Sequence, residues 1–387
     1  MPQNKDMWLG KLANYNIEKA YKKDDKTMKE TKMIAFHLPQ YHTFPENDEW
    51  WGKGFTEWVN VKKAVPLFEG HNQPRVPLNN NYYDLSIIET LQEQMDLAEK
   101  YGLYGFCFYH YWFNGKLLLE KPIENLKYLS HKIPYCFCWA NEPWTRSWDG
   151  NSKDVIMPQY YGAEKEWEQH FKYLLPFFKD DYYIKENGKP FLVIYRTNSV
   201  PNCNKMIEYW DKRCVEEGFS GIYIVEEMNS FQKRKYCSNS EAVIEFEPMN
   251  SLKNNRTFFE KLRDCTRAKI FNIRHNCNLD LCKYDDIWKV ILRQNNRKVT
   301  TDKVYSGAFV DWDNTARKGK NGLVIQGAAP DKFGKYLSKQ VEQSNSEYLF
   351  INAWNEWGEG TYLEPDEKNK YRYLEQIKMI SEQGRKK

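Results

Sequence analysis

The sequence predicts an α/β fold, a (β/α)8 barrel of the TIM type with long βα loops at the C-terminal face. Three observations lead there. Eight short apolar runs recur between residues 33 and 352, most of them separated by amphipathic helical stretches. Near-continuously apolar strands alternating with helices imply a parallel sheet covered on both faces. Polar aromatic clusters follow the runs, at 37–42, 109–114, 139–144, 226–227, 311–314 and 354–359. In a barrel these positions all share one rim, where active sites sit. No repeat with a period of roughly 20–50 residues interrupts the pattern. Residues 33–387 therefore read as a single catalytic domain, behind a charged, helix-capable lead-in over 1–32.

The elements follow in order. The first strand is Met33-Ile34-Ala35-Phe36-His37, ended by Pro39. Residues 43–85 form a long connection rich in Trp, Pro, Asn and Gly, and such loops are usually functional. From 86 to 101, Ile87, Ile88, Leu91, Met95, Leu97 and Ala98 recur near a 3.6 period. Ser86 is the expected N-cap, Glu89 completes a capping box, and Gly102 stops the helix. Further strands are expected at 104–109, 134–138, 191–195, 221–225, 242–246, 304–310 and 348–352. Helices are expected near 120–130 and at 163–178, 203–217, 331–344 and 367–383, with a loop through Trp148-Asp149. The polar stretch 250–300 reads as a helical excursion.

Composition excludes several classes. The net charge of +4 is small for 387 residues, and the scattered Lys and Arg residues form no basic stripe for nucleic acid. Neither a dinucleotide fingerprint nor a P-loop is present, so no cofactor is expected. Nine cysteines, an odd number, include the pair Cys136 and Cys138. One residue between them suits a strand rather than a zinc knuckle, and the thiols read as those of a reducing compartment. The N-terminus lacks an apolar h-region, and no run approaches the ~18 apolar residues of a membrane span. The chain thus reads as cytoplasmic, a removed export signal aside. The unusual feature is aromatic content: 14 Trp, 27 Tyr and 21 Phe, many beside Asn, Asp, Glu and His. Flat apolar faces next to hydrogen-bonding groups suit a carbohydrate cleft.

The densest cluster is Trp354-Asn355-Glu356-Trp357-Gly358-Glu359-Gly360, at the end of the eighth strand. A carboxyl beside Trp is desolvated, which raises its pKa toward neutrality, and two carboxyls of unlike environment suit glycosidic chemistry. Glu356 and Glu359 are the acid/base candidates. The alternative is a helix start, with Asn355 as N-cap and both Glu residues in the first turn. Asn141-Glu142 offers a further carboxylate or a turn set by Pro143. Asp311 and Asp313 suit sugar hydroxyls or a metal, with Trp312 favouring the sugar. Arg317 pairs with either Asp, with an acidic substituent, or at the surface. His37, His42 and His110 stand at strand ends without the convergence of a metal triad. Trp50, Trp58, Trp112, Trp139, Trp144 and Trp354 are candidate stacking planes or core. Tyr41, Tyr109 and Glu57 complete the substrate-binding set. The partner expected throughout is an oligosaccharide or polysaccharide.

The runs IAFHLPQYH, GFTEWVNV, YGFCFYHYWF, WANEPW and WNEWGEGTYLEP together resemble the WbsX-type family, over most of residues 33–366. That family is related to glycoside hydrolase family 99 and is common in bacterial O-antigen and capsule gene clusters. The resemblance implies a (β/α)8 barrel acting on polysaccharide. In family 99 the WNEWxEG motif carries both catalytic carboxylates, which match Glu356 and Glu359. The first assists attack by the sugar's own 2-hydroxyl, giving a 1,2-anhydro sugar. The second protonates the leaving oxygen and then activates water, with retention. By resemblance the chain is a retaining endo-type hydrolase or transglycosidase. A glycosyltransferase is the alternative, because WbsX members are often labelled so from their gene neighbourhoods. A silent glycan-binding module would not need both Glu residues.

Overall fold

The computed structural model describes residues 31–146, 151–293, 303–344 and 346–385. Nearly all of the N-terminal lead-in and the loop at Trp148-Asp149 lie outside them. Eight strands are labelled β1 (Lys32–His37), β2 (Gly105–Phe113), β3 (Tyr135–Trp139), β4 (Lys189–Ile194), β5 (Tyr223–Met228), β6 (Ala242–Glu245), β7 (Lys303–Phe309) and β8 (Tyr348–Asn352). Each pairs in parallel with the next, and β8 pairs with β1, Ile34 opposite Phe350, so the sheet closes. Closure removes both sheet edges. The surrounding helices include Ile88–Lys100, Glu164–Phe178, Cys203–Glu216, Pro330–Gln343 and Arg372–Arg385.

Strand alternation divides the core into two layers. Inside the barrel, Phe36 meets Tyr109, Phe246 and Phe350 at ring-centroid distances of 5.2–5.8 Å. Below them Phe191, Tyr223, Tyr305 and Tyr348 fill the floor, with the Tyr223 and Tyr305 hydroxyls 3.1 Å apart. Outside, the alternate residues pack under the helices. The first connection, expected as a loop, holds the helices Pro45–Trp51 and Glu57–Lys63 and a 3-10 turn at Leu78–Asn80. β2 runs on past residue 109 to Phe113 because it turns back on Lys116–Leu118. The β6–β7 excursion contains a helix, Phe258–His275, a short strand, Asp280–Lys283, and a second helix, Tyr284–Ile291.

Two local expectations are corrected. Ser86 does not cap the first long helix: its backbone N–H is taken by Asp84 and its carbonyl by Asn125, and Ile87 is the N-cap. The cysteines are not all free thiols. Cys203 and Cys237 form a disulfide, Cα atoms 6.4 Å apart, tying helix Cys203–Glu216 to the loop after β5. A separation of 34 residues left this pairing invisible before the chain was folded.

Gly307 sits where β7 meets β6, and a Cβ there would lie 1.7 Å from the Glu245 carbonyl oxygen. Backbone cannot yield cheaply at that distance. Gly307→Ala should lower stability by about 1–3 kcal/mol, read as a reduced urea midpoint with unchanged slope.

Candidate active site

β8 delivers the turn that builds the site. Asn355–Glu356 pairs antiparallel with Thr361–Tyr362, and Trp357–Glu359 between them forms one 3-10 turn. Glu356 ends the ladder and Glu359 ends the turn, and both carboxylates reach one guanidinium. The alternative of a helix start capped by Asn355 is not what forms: the turn is a three-residue 3-10 element whose N-cap is Glu356. Gly360 ends it at φ 67°.

Arg317, on the short helix Thr315–Lys318 after β7, meets both carboxylates. Its Nη1 donates to Glu359 Oε1 at 2.7 Å, and its Nη2 to Glu356 Oε2 at 3.0 Å. Its Nε donates to Glu57 Oε1 at 2.9 Å. One guanidinium, from the seventh connection, thus collects three carboxylates, Glu57 from the first and Glu356 and Glu359 from the last. Gly358 makes the approach possible, since a Cβ there would stand 1.7 Å from Glu57 Oε1.

Burial sets the electrostatics. It raises the Glu356 carboxyl well above the usual range; Arg317 opposes the shift, and the charges of Glu359 and Glu57 add to it. Glu359 is raised for the same reason, again against Arg317. Glu142 stands nearby. Burial raises it, Arg196 (Nη1 3.5 Å away) pulls it back, and Glu359 raises it again. Inside the barrel, Glu227 on β5 is fully buried, and burial pushes it up to about 8. It accepts from Asn229 Nδ2 at 3.1 Å and lies near the Cys138 thiol. Tyr109, Tyr111 and Tyr195 stand among these acids: burial first, then the charges of two or three of Glu227, Glu356, Glu142 and Glu359, holds their phenols protonated, with Arg317 opposing at Tyr111. Raised carboxyls of this kind can give and take protons near neutral pH.

Much of the expected substrate-binding set supports the turn rather than facing the mouth. Asn355 clamps Leu38, accepting from its N–H at 2.7 Å and donating to its carbonyl at 2.9 Å. Tyr41 donates its hydroxyl to the Asn355 carbonyl and accepts from the Trp357 N–H at 3.2 Å. Trp58 donates to the Tyr83 carbonyl and packs on Trp357. Asp311 holds Arg75 at 2.9 Å, and Arg75 donates to the Gly360 carbonyl. Burial would raise Asp313, but His71 at 2.8 Å and Arg75 hold it at about 2. Its N–H donates to the Glu359 carbonyl at 2.7 Å. Asn141 ties β3 to β4, bonding both the N–H and carbonyl of Arg196.

Others are not brought to the mouth, for reasons of alternation. His37 points outward, its Nε2 2.8 Å from Gln94 Oε1. His110 also faces the helices, Nε2 to Nε2 2.9 Å from His170, and burial lowers it to about 3. Trp112 stacks on His170, and Trp139 packs between His170 and Trp210. His42 is buried against the Pro39 carbonyl, and Trp354 is wholly buried beside Phe106. Trp144 does reach the rim, half-buried in a cluster with Phe44, Trp50 and Tyr111. Missed in the sequence were Glu227, Tyr111, Tyr195 and Arg196. A period of two from Tyr109 would have placed Tyr111 on its inward face. Among the described residues, no three His, Cys, Asp or Glu side chains are placed to hold a metal ion.

The family described as "Glycosyltransferase WbsX" has a model matching residues 33–377. The chain belongs to the WbsX family. It is 34% identical over 351 residues, 89% of its length, to "Uncharacterized protein WxcX" of two Xanthomonas campestris pv. campestris strains, B100 and ATCC 33913. It spans about half of those relatives, 48% of their length. Its fold is similar to that of a GH99 endo-alpha-mannosidase from Bacteroides thetaiotaomicron, with TM-score 0.53, 12% identity, and coverage of 92% of this chain and 97% of the other. A "Glycoside hydrolase-like protein" superposes with TM-score 0.56, 12% identity, and coverage of 92% and 95%. These likenesses establish the (β/α)8 architecture. In this WbsX chain the site's chemistry rests on the residues themselves.

Two measurements probe that chemistry. Arg317→Met leaves three carboxylates without their shared cation and should cost roughly 3–5 kcal/mol at pH 7, measured by urea unfolding. Glu227 holds its proton in the folded state up to about pH 8, while the unfolded chain releases it near the ordinary Glu value. Between those limits the folded form binds more protons, so stability falls as pH rises. Glu227→Gln should match wild type at pH 4 and exceed it at pH 8, by on the order of a few kcal/mol. A constant difference across that range would show that Glu227 does not hold the proton.

Proposed function

We propose that this chain is a carbohydrate-active enzyme, a retaining endo-type glycoside hydrolase or transglycosidase acting on a bacterial surface polysaccharide. The observation that carries this reading is the Arg317 fork, which gathers Glu356 and Glu359 on one turn at the barrel mouth, both with carboxyls raised by burial. Glu356 takes the proton of the sugar's 2-hydroxyl as that oxygen attacks the anomeric carbon. Glu359 protonates the departing glycosidic oxygen, and a 1,2-anhydro sugar results. Glu359, now ionised, then deprotonates water or an acceptor hydroxyl that opens the anhydro ring, and the proton on Glu356 returns to the 2-oxygen. Two inversions give net retention.

Burial raises Glu356 as well as Glu359, although the role of Glu356 requires the ionised form. A 2-hydroxyl donating to Glu356 favours its charge, so substrate binding itself shifts the proton toward Glu359. The pH profile belongs to the pair rather than to either residue. Trp144 and Tyr111 offer faces for sugar rings at the rim.

The second reading is a nucleotide-sugar-dependent glycosyltransferase, favoured by the family's description. Charge opposes it. Among the described residues, Glu57, Glu142, Glu227, Glu356 and Glu359 gather at the site; Arg317 and Arg196 there are engaged with carboxylates, and Lys318 is an exposed cation acting on Glu359. A diphosphate needs positive charge that is not already committed.

Incubation with the producing organism's surface polysaccharide should yield shortened or rearranged oligosaccharides by mass spectrometry. Glu359→Gln and Glu356→Gln should each lower turnover by at least ~10²-fold. Full turnover by Glu359→Gln would sink the assignment. Calorimetric binding of a nucleotide sugar, with or without Mn2+, would favour the transferase.

A further inference from the structure

The excursion between β6 and β7 carries a helix that the site does not use. Phe258–His275 is 18 residues long, opened by a Thr257–Glu260 capping box and closed by Asn276 in the left-handed region. One side packs on the protein: Asp264 is buried against Arg256, and Phe271 meets Phe68 at 5.0 Å beside Leu279, Leu281 and Val324. The opposite side is largely apolar and, among the described residues, uncovered. Phe258, Phe259 and Ile273 are 74%, 78% and 77% exposed, and Leu262 and Ile270 are more than half exposed. At 100° per residue these five fall within about a third of the helix circumference.

The charge pattern around that stripe has one sign. By the same helical spacing Lys261 lies to one side, Arg263 and Arg274 border the other, and Lys269 and Thr266 fall within the stripe; the four basic residues are exposed, Arg263 also pairing with Asp286. The helix's two acidic residues face away, Glu260 paired with Arg293 and Asp264 buried. An apolar stripe bordered on both sides by Lys and Arg suits an interfacial helix, whose apolar face enters the headgroup region while its cations meet anionic lipid. A second copy of this chain fits poorly, since pairing the stripes would bring these basic borders together.

We propose that Phe258–His275 docks the protein on an anionic lipid bilayer surface, lying in the plane of the interface. No helix among the described residues is long and apolar enough to cross a membrane. The contact rests on this helix alone and is independent of what the barrel mouth catalyses.

Co-sedimentation of the full chain with vesicles tests it. On phosphatidylcholine vesicles containing about one quarter phosphatidylglycerol, the bound fraction should exceed that on pure phosphatidylcholine about tenfold, and should fall as salt is raised from about 50 to about 500 mM. The triple variant Phe258→Ser, Phe259→Ser, Ile273→Ser should bind about tenfold less. Its thermal midpoint should match wild type, because those side chains are packed on nothing inside. Equal binding to both vesicle types would overturn the proposal. So would sedimentation equilibrium showing that wild type self-associates and the triple variant does not, which would make a second copy the occupant.

Discussion

A buried guanidinium shared by three carboxylates organises the mouth of this barrel. Arg317 presents donors in a rigid planar fork, and Glu57, Glu356 and Glu359 each take one of its three nitrogens. Three carboxylates cannot all ionise cheaply beside a single positive charge away from water. The surplus appears as raised carboxyls on Glu356 and Glu359, the property that acid/base chemistry requires. The same contact pulls together three separate connections, so the geometry of the site and the closure of the loops are one problem.

The remaining supports keep that contact in place. Asn355 grips the backbone of Leu38, and Tyr41 bridges Asn355 and Trp357. Arg75 and Asp313 hold the carbonyls of Gly360 and Glu359. Behind them Glu364 accepts from Trp357, Tyr83 and Gln94, and burial raises it to about 7. Gly358 leaves room for the Glu57 carboxylate. These groups bond backbone to backbone across loops. They fix where Glu356 and Glu359 point, and they leave Glu142, Trp144, Tyr111 and Tyr195 to face whatever enters.

The barrel was legible because its signal is local. Apolar runs such as Tyr348–Asn352 and amphipathic stretches such as Ile88–Lys100 carry their periods in consecutive residues. The rim was legible for the same reason, since polar aromatics begin where each run stops. The inward or outward sense of those aromatics was harder to read. His110 and Tyr111 are neighbours in sequence, yet one packs against His170 in the helix layer and the other stands at the mouth. Only the phase of β2, continued to Phe113 by its hairpin, separates them. Glu226 and Glu227 divide likewise: Glu226 bonds the loop at Thr197, Gln232 and Ser240, and Glu227 sits inside the barrel.

By itself the sequence determined the class of fold, the gathering of polar aromatics at one rim, and the pairing of Glu356 with Glu359 in the last motif, because each is written within a few consecutive residues. Tertiary structure decided the rest. It chose Arg317 as the shared partner, made Asn355 and Asp313 supports, turned His37 and Trp139 outward, and left one face of Phe258–His275 exposed among the described residues. Each of these depends on what lies opposite a side chain after some tens to hundreds of intervening residues have folded. No local period encodes that, and only closing the barrel reveals it.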